Sequence, residues 1–260
     1  LDLVALATIA DVAPMTGLNR AFVKQGLAIM AKRKNHGLRA LCDVCKLNSP
    51  PSTYDLGFLL GPRINAGGRV GNSKLGVELL ISENIFEAEV IAKKLDDLNS
   101  DRRKIEIRNL QEAEEQLSER KFTSSLLWVA KEGWHPGVLG IIASRIKEKY
   151  NKPTVVMSIE NGLCSGSARS IKGINIGIGI SKLVNENLIL KGGGHSMAAG
   201  LSLTENQIPK AMERLENIIL KNGSQNLPQP YLSITGAVMC RAINEDLVEN
   251  KCESNKFGCL

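Results

Sequence analysis

The chain has 260 residues, of which 43% are hydrophobic and 23% are charged, with a formal net charge of +6 and a pI near 9.0. These values are ordinary for a folded protein of about two domains, and they exclude a disordered tail. The positive charge suits a polyanionic partner, because Lys and Arg placed against phosphates release counterions. A basic protein without a nucleic-acid role explains the charge equally well.

The cysteines and the hydropathy pattern indicate the cellular compartment. Six cysteines at irregular spacing do not form a disulfide scaffold, so we expect a reducing cytoplasm. Cys42 and Cys45 have CxxC spacing, but no second pair at zinc spacing accompanies them, which disfavours metal or redox chemistry. No apolar run reaches about 18 residues, so we expect no membrane span. The absence of an initiator Met suggests a fragment cut within folded units.

The first elements are predicted from apolar spacing. The apolar run Leu3–Ile9 predicts a buried strand that delivers Asp11 to its carboxyl end, where open α/β sheets bind ligands. Helical spacing predicts a helix over Asn19–Lys34, which His36 and Gly37 close.

A second helix and a loop are predicted next. Thr53–Leu60 has the pattern of a helix, whereas Gly61–Arg69 is too rich in Gly and Pro for regular structure. The loop is either a connector or a binding loop. Its residues Arg63, Asn65 and Arg69 favour binding to a substrate.

A long helix is predicted in the middle of the chain. Residues 77–132 contain neither Gly nor Pro, and apolar residues recur at 4-3-4-3 spacing through a charged segment. About 34 helical residues would reach roughly 50 Å, which is long enough to bridge two domains. The charged cluster Asp101–Lys104 is either a solvated face or part of a nucleic-acid surface.

A βαβ unit follows this helix. The patterns predict a strand over Ser125–Ala130, a helix over Val138–Tyr150 and a strand over Pro153–Ile159. His135 lies in the turn between the first strand and the helix, where N–H groups at the helix start favour an anion. A purely structural turn is the alternative.

Two glycine-containing segments are the strongest candidates for a phosphate site. Gly166–Ser170 contains Ser167 and Arg169, and Gly192–Ser196 contains three glycines and His195. Glycine lets a backbone approach a phosphate closely, and it adopts the positive φ angles at which N–H groups converge on an anion, so we expect Gly192–His195 to form a turn. Arg169 and His195 supply charge and hydrogen bonds. Strand patterns beside both segments suggest one shared pocket; they cover Gly162–Arg169 and Ala198–Leu203.

The remaining sequence predicts two helices and a change of domain. The helices cover Ile176–Leu188 and Glu205–Leu220. A linker is predicted over Asn222–Pro228, and Tyr231–Val238 begins a new strand.

Six sequence motifs resemble those of a known family and occur in the same order along the chain. The motifs are Ala5–Met15, Gly61–Arg69, Leu95–Arg103, Gly133–Arg145, Gly166–Ser170 and Gly192–Leu203. Through them the chain is similar to the bacterial RecJ single-stranded-DNA-specific 5′→3′ exonucleases of the DHH phosphoesterase superfamily.

The resemblance implies a mixed α/β fold in four parts. Residues 1–85 would be the end of the DHH catalytic domain and 86–120 a long interdomain helix. Residues 121–222 would be the DHH-associated phosphate- and DNA-binding domain. Residues 223–260 would be a linker and the truncated start of an oligonucleotide-binding (OB-like) β domain.

The resemblance also implies a chemistry. Asp11 would be a catalytic metal ligand for Mn²⁺ or Mg²⁺ in a two-metal site, whose other ligands lie before Leu1 in the family, so the fragment alone should be inactive. His195 would be a second catalytic residue. The substrate-binding set would be Arg63, Asn65, Arg69, His135, Ser167, Arg169, Gly192, Gly193 and Gly194.

The implied partner is single-stranded DNA in repair and recombination, with a single-strand-binding protein or a helicase as a possible second partner and no membrane. Two alternatives stay open. One is a DHH phosphoesterase that acts on short oligonucleotides or nucleoside bisphosphates. The other, for the fragment, is a non-catalytic nucleic-acid-binding module.

Overall fold

The computed structural model of the chain describes residues 1–119 and 124–222, together with positions 234, 239, 240 and 243–245. Its internal contacts divide the chain into two compact units. The first unit contains Leu1–Arg102, and the second contains the described residues from 103 to 222. The predicted linker after Asn222, the strand over Tyr231–Val238 and the OB-like domain lie outside these described ranges.

The first unit is helical over its described residues up to 102. Its helices are α1 Asp2–Ala10, α2 Gly17–Met30, α3 His36–Val44, α4 Thr53–Asp55, α5 Gly61–Val70, α6 Lys74–Ile81 and the first half of α7 Ile85–Ser118. They enclose a core of buried aliphatic side chains, among them Leu41, Leu56, Leu60, Leu79 and Leu95. α7 has 34 residues, as the segment free of Gly and Pro predicts.

The predicted strand over Leu3–Ile9 is wrong, because this run is helix α1. Ala5, Leu6 and Ile9 are buried while Leu3 is exposed, which is the spacing of one helix face. A short apolar run does not distinguish a buried strand from a buried helix, and alanine favours the helix.

The predicted loop over Gly61–Arg69 is also wrong, because this segment is helix α5. A π-helical segment, Leu56–Leu60, leads into it. Pro62 lies in the first turn, where its missing N–H costs nothing. Gly67 serves packing, since a Cβ on it would lie 2.9 Å from the Asn72 carbonyl oxygen and 3.3 Å from a Leu95 methyl group.

His36 and Gly37 begin helix α3 instead of closing the preceding helix, which ends at Met30. The Asn35 side chain caps α3 by accepting a hydrogen bond from the Leu38 N–H. A Cβ on Gly37 would clash with the Leu79 carbonyl, so this glycine allows α3 and α6 to pack closely.

The second unit is a five-stranded mixed sheet with helices on both faces. The strands are β1 Leu127–Glu132, β2 Thr154–Glu160, β3 Leu163–Arg169, β4 Lys191–Gly194 and β5 Ala198–Thr204, in the spatial order β1-β2-β3-β5-β4. The helices are α8 Pro136–Tyr150, α9 Ile176–Asn185 and α10 Ile208–Asn222. β1 and β2 are parallel and joined by α8, which confirms the predicted βαβ unit, while the other strand pairs are antiparallel.

The two faces of the sheet differ in chemistry. One face is apolar and packs against α9 and α10, through side chains such as Met157, Leu201, Ile180 and Leu215. α8 packs on the opposite face across β2 and β3. Because side chains alternate along a strand, Cys164 and Ala168 of β3 enter the apolar core, and Ser165, Ser167 and Arg169 lie on the face of α8.

The three glycines predicted to form a turn, Gly192–Gly194, are strand β4. They pair with β5, and the turn falls on His195–Met197. Positive φ angles at described glycines occur at Gly17, Gly133, Gly162 and Gly173, so the expected left-handed conformation is wrong for these three. Four residues are enough for an edge strand once β5 supplies its hydrogen bonds.

Candidate nucleic-acid interface

Ser167 and Arg169 lie side by side on β3, on the same face of the sheet. Arg169 Nη1 donates a hydrogen bond to Ser167 Oγ at 3.0 Å and another to the Ala168 carbonyl oxygen at 2.9 Å. Both side chains are half-buried. The pair therefore presents a hydroxyl and a guanidinium group in a fixed relation to each other.

Two glycines extend from this pair across the sheet. Ser167 pairs with Gly200 of β5, and Gly200 pairs with Gly193 of β4. Adjacent strands are separated by about 4.8 Å, so Gly193 lies roughly 10 Å from Ser167. A Cβ on Gly193 would meet no heavy atom within 4 Å, and a Cβ on Gly200 would meet one at 4.0 Å. The face over β5 and β4 is thus bare, exposed backbone that packing does not require to be glycine.

His195 follows β4 at the same end of the sheet as Arg169. Its N–H donates to the Ala198 carbonyl oxygen at 2.8 Å, and Ala198 pairs with Arg169. The imidazole is exposed, and its Nδ1 accepts a hydrogen bond from the Met197 N–H at 3.3 Å. In the neutral ring this contact puts the proton on Nε2, which can donate to an anion.

The other two glycines of β4 face the opposite way. A Cβ on Gly192 would lie 2.5 Å from an Ile180 methyl group, and one on Gly194 would clash with the Ala198 carbonyl. Alternation along the strand leaves Gly193 as the member of this triplet on the face of Ser167 and Arg169. Gly192 and Gly194 are needed for packing.

His135 is the N-cap of α8. Its Nδ1 accepts a hydrogen bond from the Gly137 N–H at 3.1 Å, so it has the same acceptor role as the corresponding nitrogen of His195. His135 is half-buried and precedes Gly140 by five residues, or about 7.5 Å of helix.

Trp134 is structural. Its side chain is 3% exposed, and its indole N–H donates to Glu112 Oε2 at 2.7 Å. This hydrogen bond and the neighbouring Lys131 lower the pKa of Glu112, against the smaller opposing effect of burial. The indole is therefore unavailable for stacking on a nucleobase.

The remaining predicted residues belong to the first unit. Arg63 donates from Nε to Asp96 at 2.9 Å and from Nη1 to the Leu59 carbonyl oxygen at 2.9 Å, and its side chain is 13% exposed. These internal contacts hold the guanidinium in the helical core. We therefore leave Arg63 out of the proposed interface.

Asp11 is exposed at the carboxyl end of α1. The next residue, Val12, has a positive φ of 53°, which is strained for a β-branched side chain. On α5, Asn65 is exposed and Arg69 is half-buried, and their i,i+4 spacing places them on one helix face. Among the described residues, no group of three or more His, Cys, Asp or Glu side chains could hold a metal ion.

The sequence patterns missed three residues of the interface. Gly200 lies between Ser167 and Gly193, and Gly140 of α8 packs against Arg169. Lys191 is exposed at the start of β4 and pairs with Ser202, which places a positive charge on the same face. Strand register would have revealed Gly200 and Lys191, but register depends on pairings between distant residues.

Cys42 and Cys45 are both free thiols. Burial raises the pKa of Cys42 to about 11 and also raises the pKa of Cys45. No helix within the described residues is long and apolar enough to cross a membrane.

Comparison with known proteins identifies relatives of the whole chain. Residues 121–221 match the DHHA1 domain family. RecJ of Dickeya dadantii, named a single-stranded-DNA-specific exonuclease, is 42% identical over 93% of this chain and 45% of its own length. RecJ of Bacillus subtilis, with the same name, is 37% identical over 100% of this chain and 33% of its own length.

Solved structures agree with the sequence matches. Crystal structures of Thermus thermophilus RecJ in complex with Mn²⁺ and with Mg²⁺ each superpose with a TM-score of 0.76 at 33% identity over 85% of this chain. The alignments cover 32% and 34% of those chains. The chain spans less than half the length of the curated relatives described here. It belongs to the RecJ family.

Proposed function

We propose that the second unit binds the sugar-phosphate backbone of single-stranded DNA within a RecJ exonuclease. The binding surface is the face formed by Ser167, Arg169, Gly193 and Gly200, with His195 at its edge; we call it the glycine face. The observation that carries this proposal is the Arg169–Ser167 pair beside a row of exposed glycines that packing does not require. The names of the RecJ relatives support the choice of single-stranded DNA.

The chemistry of the glycine face suits a phosphodiester. The guanidinium of Arg169 can donate parallel hydrogen bonds to two phosphate oxygens, and Ser167 can donate a third from its hydroxyl. Backbone at Gly193 and Gly200 lets the polymer approach without side-chain obstruction. None of these groups reads a base edge, so we expect binding with little sequence preference.

We further propose that the whole protein hydrolyses DNA in the 5′→3′ direction with divalent metal ions and acts in repair and recombination, where a single-strand-binding protein or helicase could deliver the substrate. The RecJ crystal structures with Mn²⁺ and Mg²⁺ support a metal. A site for such hard cations needs several oxygen ligands, and the described residues offer Asp11 without a cluster around it. The described residues do not form the metal site by themselves, so we derive no hydrolytic step from them.

The test is binding of a fluorescein-labelled oligo(dT) of 20 nucleotides to the 260-residue chain, measured by anisotropy over a range of salt concentrations. We expect Arg169→Ala to weaken binding by about tenfold and to reduce the salt slope by about 0.7, the value for one lost phosphate contact on a single strand. Arg214→Ala is the control, because Arg214 of α10 pairs with Glu186, the residue that follows α9, and these two helices cover the opposite face of the sheet. We expect its affinity to stay within twofold of the unmodified chain.

Equal affinities for both variants would remove Arg169 from the interface. Competition with a dinucleotide distinguishes a small substrate from an extended single strand. If a dinucleotide competes as well as the 20-mer, the glycine face serves a short ligand, whereas a much weaker dinucleotide supports an extended strand.

A further inference from the structure

We infer that Gly140 of α8 is a positioning residue for Arg169 and Ser167, which we call the phosphate-binding pair. This inference rests on the function proposed above. Gly140 itself touches no substrate. It acts by leaving the space in which the Arg169 guanidinium and the Ser167 hydroxyl lie.

The geometry that carries this inference is a close packing of helix against side chain. A Cβ on Gly140 would lie 2.6 Å from Arg169 Nη2, 3.4 Å from Arg169 Cζ and 3.2 Å from Ser167 Oγ. The first distance is shorter than any ordinary contact, so alanine and the present guanidinium position exclude each other. The helix backbone at Gly140 is therefore one wall of the phosphate-binding pair.

The packing of Gly140 limits the orientation of the Arg169 guanidinium as well as its position. Arg169 Nη1 is already held by Ser167 Oγ and the Ala168 carbonyl oxygen, so the guanidinium plane is fixed from the side of the sheet. Gly140 fixes it from the side of α8. A guanidinium that is held on both sides loses less rotational freedom when it binds a phosphate than one that swings on a flexible side chain.

Substitution of Gly140 separates this role from folding. Alanine has a higher helix propensity than glycine, and the atom in its way is the far end of a flexible side chain. When Arg169 moves towards solvent it gives up its hydrogen bonds to Ser167 and Ala168, and water together with the higher helix propensity of alanine offsets this loss. We therefore expect Gly140→Ala to leave the melting temperature equal or higher while it lowers affinity for single-stranded DNA.

The experiment is a double-mutant cycle on the full 260-residue chain with the same oligo(dT) probe. We expect Gly140→Ala to weaken binding about fivefold and to reduce the salt slope, and to have less than a twofold effect in the Arg169→Ala background. The displaced Arg169 Nε–H resonance in a ¹⁵N spectrum reports the movement directly. Gly68→Ala is the control, because a Cβ there would meet a single atom, Ser73 Cβ, at an ordinary 3.8 Å.

Each outcome decides the matter. Wild-type affinity and salt slope in Gly140→Ala would overturn the inference, as would effects that simply add in the double variant. If Gly140→Ala fails to fold, removal of the Arg169 side chain must restore the fold, and a double variant that stays unfolded would overturn it. If Arg169→Ala has the affinity and salt slope of the unmodified chain, the proposed function itself is refuted. Failure of the inference and failure of the proposed function are therefore distinguishable.

Discussion

Arg169 Nη1 donates a hydrogen bond to Ser167 Oγ across 3.0 Å, and both side chains project from the same face of β3. β3 is the central strand of the sheet, so the pair lies in the middle of the interface. Ser167 is in register with Gly200 of β5 and, beyond it, with Gly193 of β4. A half-buried arginine that is already oriented loses less freedom on binding than an exposed one.

The first prediction concerns Gly200, which lies in the middle of the glycine face. Gly200→Val places a β-branched side chain in the middle of β5, where the nearest atom to a new Cβ is the Gly166 carbonyl oxygen at 4.0 Å. Valine suits a strand better than glycine, so we expect stability to be unchanged or higher. Affinity for oligo(dT) should fall at least fivefold, because the valine side chain blocks the approach of the DNA backbone.

Thermal melting and anisotropy of the same sample measure both quantities for Gly200→Val. Unchanged affinity in a folded variant would show that the DNA does not pass over β5.

The second prediction separates Trp134 from the interface. Trp134→Phe removes the hydrogen bond from the indole to Glu112, and hydrogen bonds to charged groups contribute roughly 1.5–3 kcal/mol. We expect the free energy of unfolding to fall by about 1–3 kcal/mol in urea titrations. DNA affinity of the folded variant should be the same as that of the unmodified chain. A loss of affinity without a loss of stability would mean that the indole contacts DNA.

The third prediction is a pH dependence that arises from Cys42. Burial raises the pKa of this thiol from 9.0 to about 11, so the folded chain holds a proton that the unfolded chain releases. The stabilisation is fully present below about pH 9 and is lost as pH rises through 11. Unfolding free energy should therefore fall more steeply between pH 9 and 11 in the unmodified chain than in Cys42→Ala.

Urea titrations at several pH values measure the Cys42 effect, and subtraction of the two curves removes the contribution of other titrating groups. Parallel curves would show that the thiol does not titrate differently on folding. Cys42 should also resist alkylation at pH 8, whereas the exposed Cys240 reacts.

The sequence predicted elements whose signal is local and periodic. The 34-residue helix α7 and the β1-α8-β2 unit follow from apolar spacing and from the positions of Gly and Pro, and both are present. Apolar alternation also predicts the strands that carry Ser167 and Ala198, and both are present. Such patterns need no knowledge of distant residues.

The errors at the glycine-rich segments share one physical cause. Glycine favours a loop at Gly61–Arg69 and a turn at Gly192–Gly194, but in the structure Gly67 of helix α5 and Gly192 and Gly194 of edge strand β4 allow close packing. The sequence does not show which use a glycine serves, because the difference lies in the neighbour that would meet its Cβ. The same reason hid Gly140 and Gly200 from the predicted site. The register of β4 and β5, which places Gly193 beside Gly200, depends on the tertiary fold.

The most direct measurement is an NMR titration of the ¹⁵N-labelled chain with unlabelled oligo(dT). We predict that the backbone resonances of Ser167, Arg169, Gly193, His195 and Gly200 shift in a saturable manner, while those of α9 and α10 on the opposite face stay in place. Shifts confined to the α9 and α10 face, with the glycine face unperturbed, would contradict it.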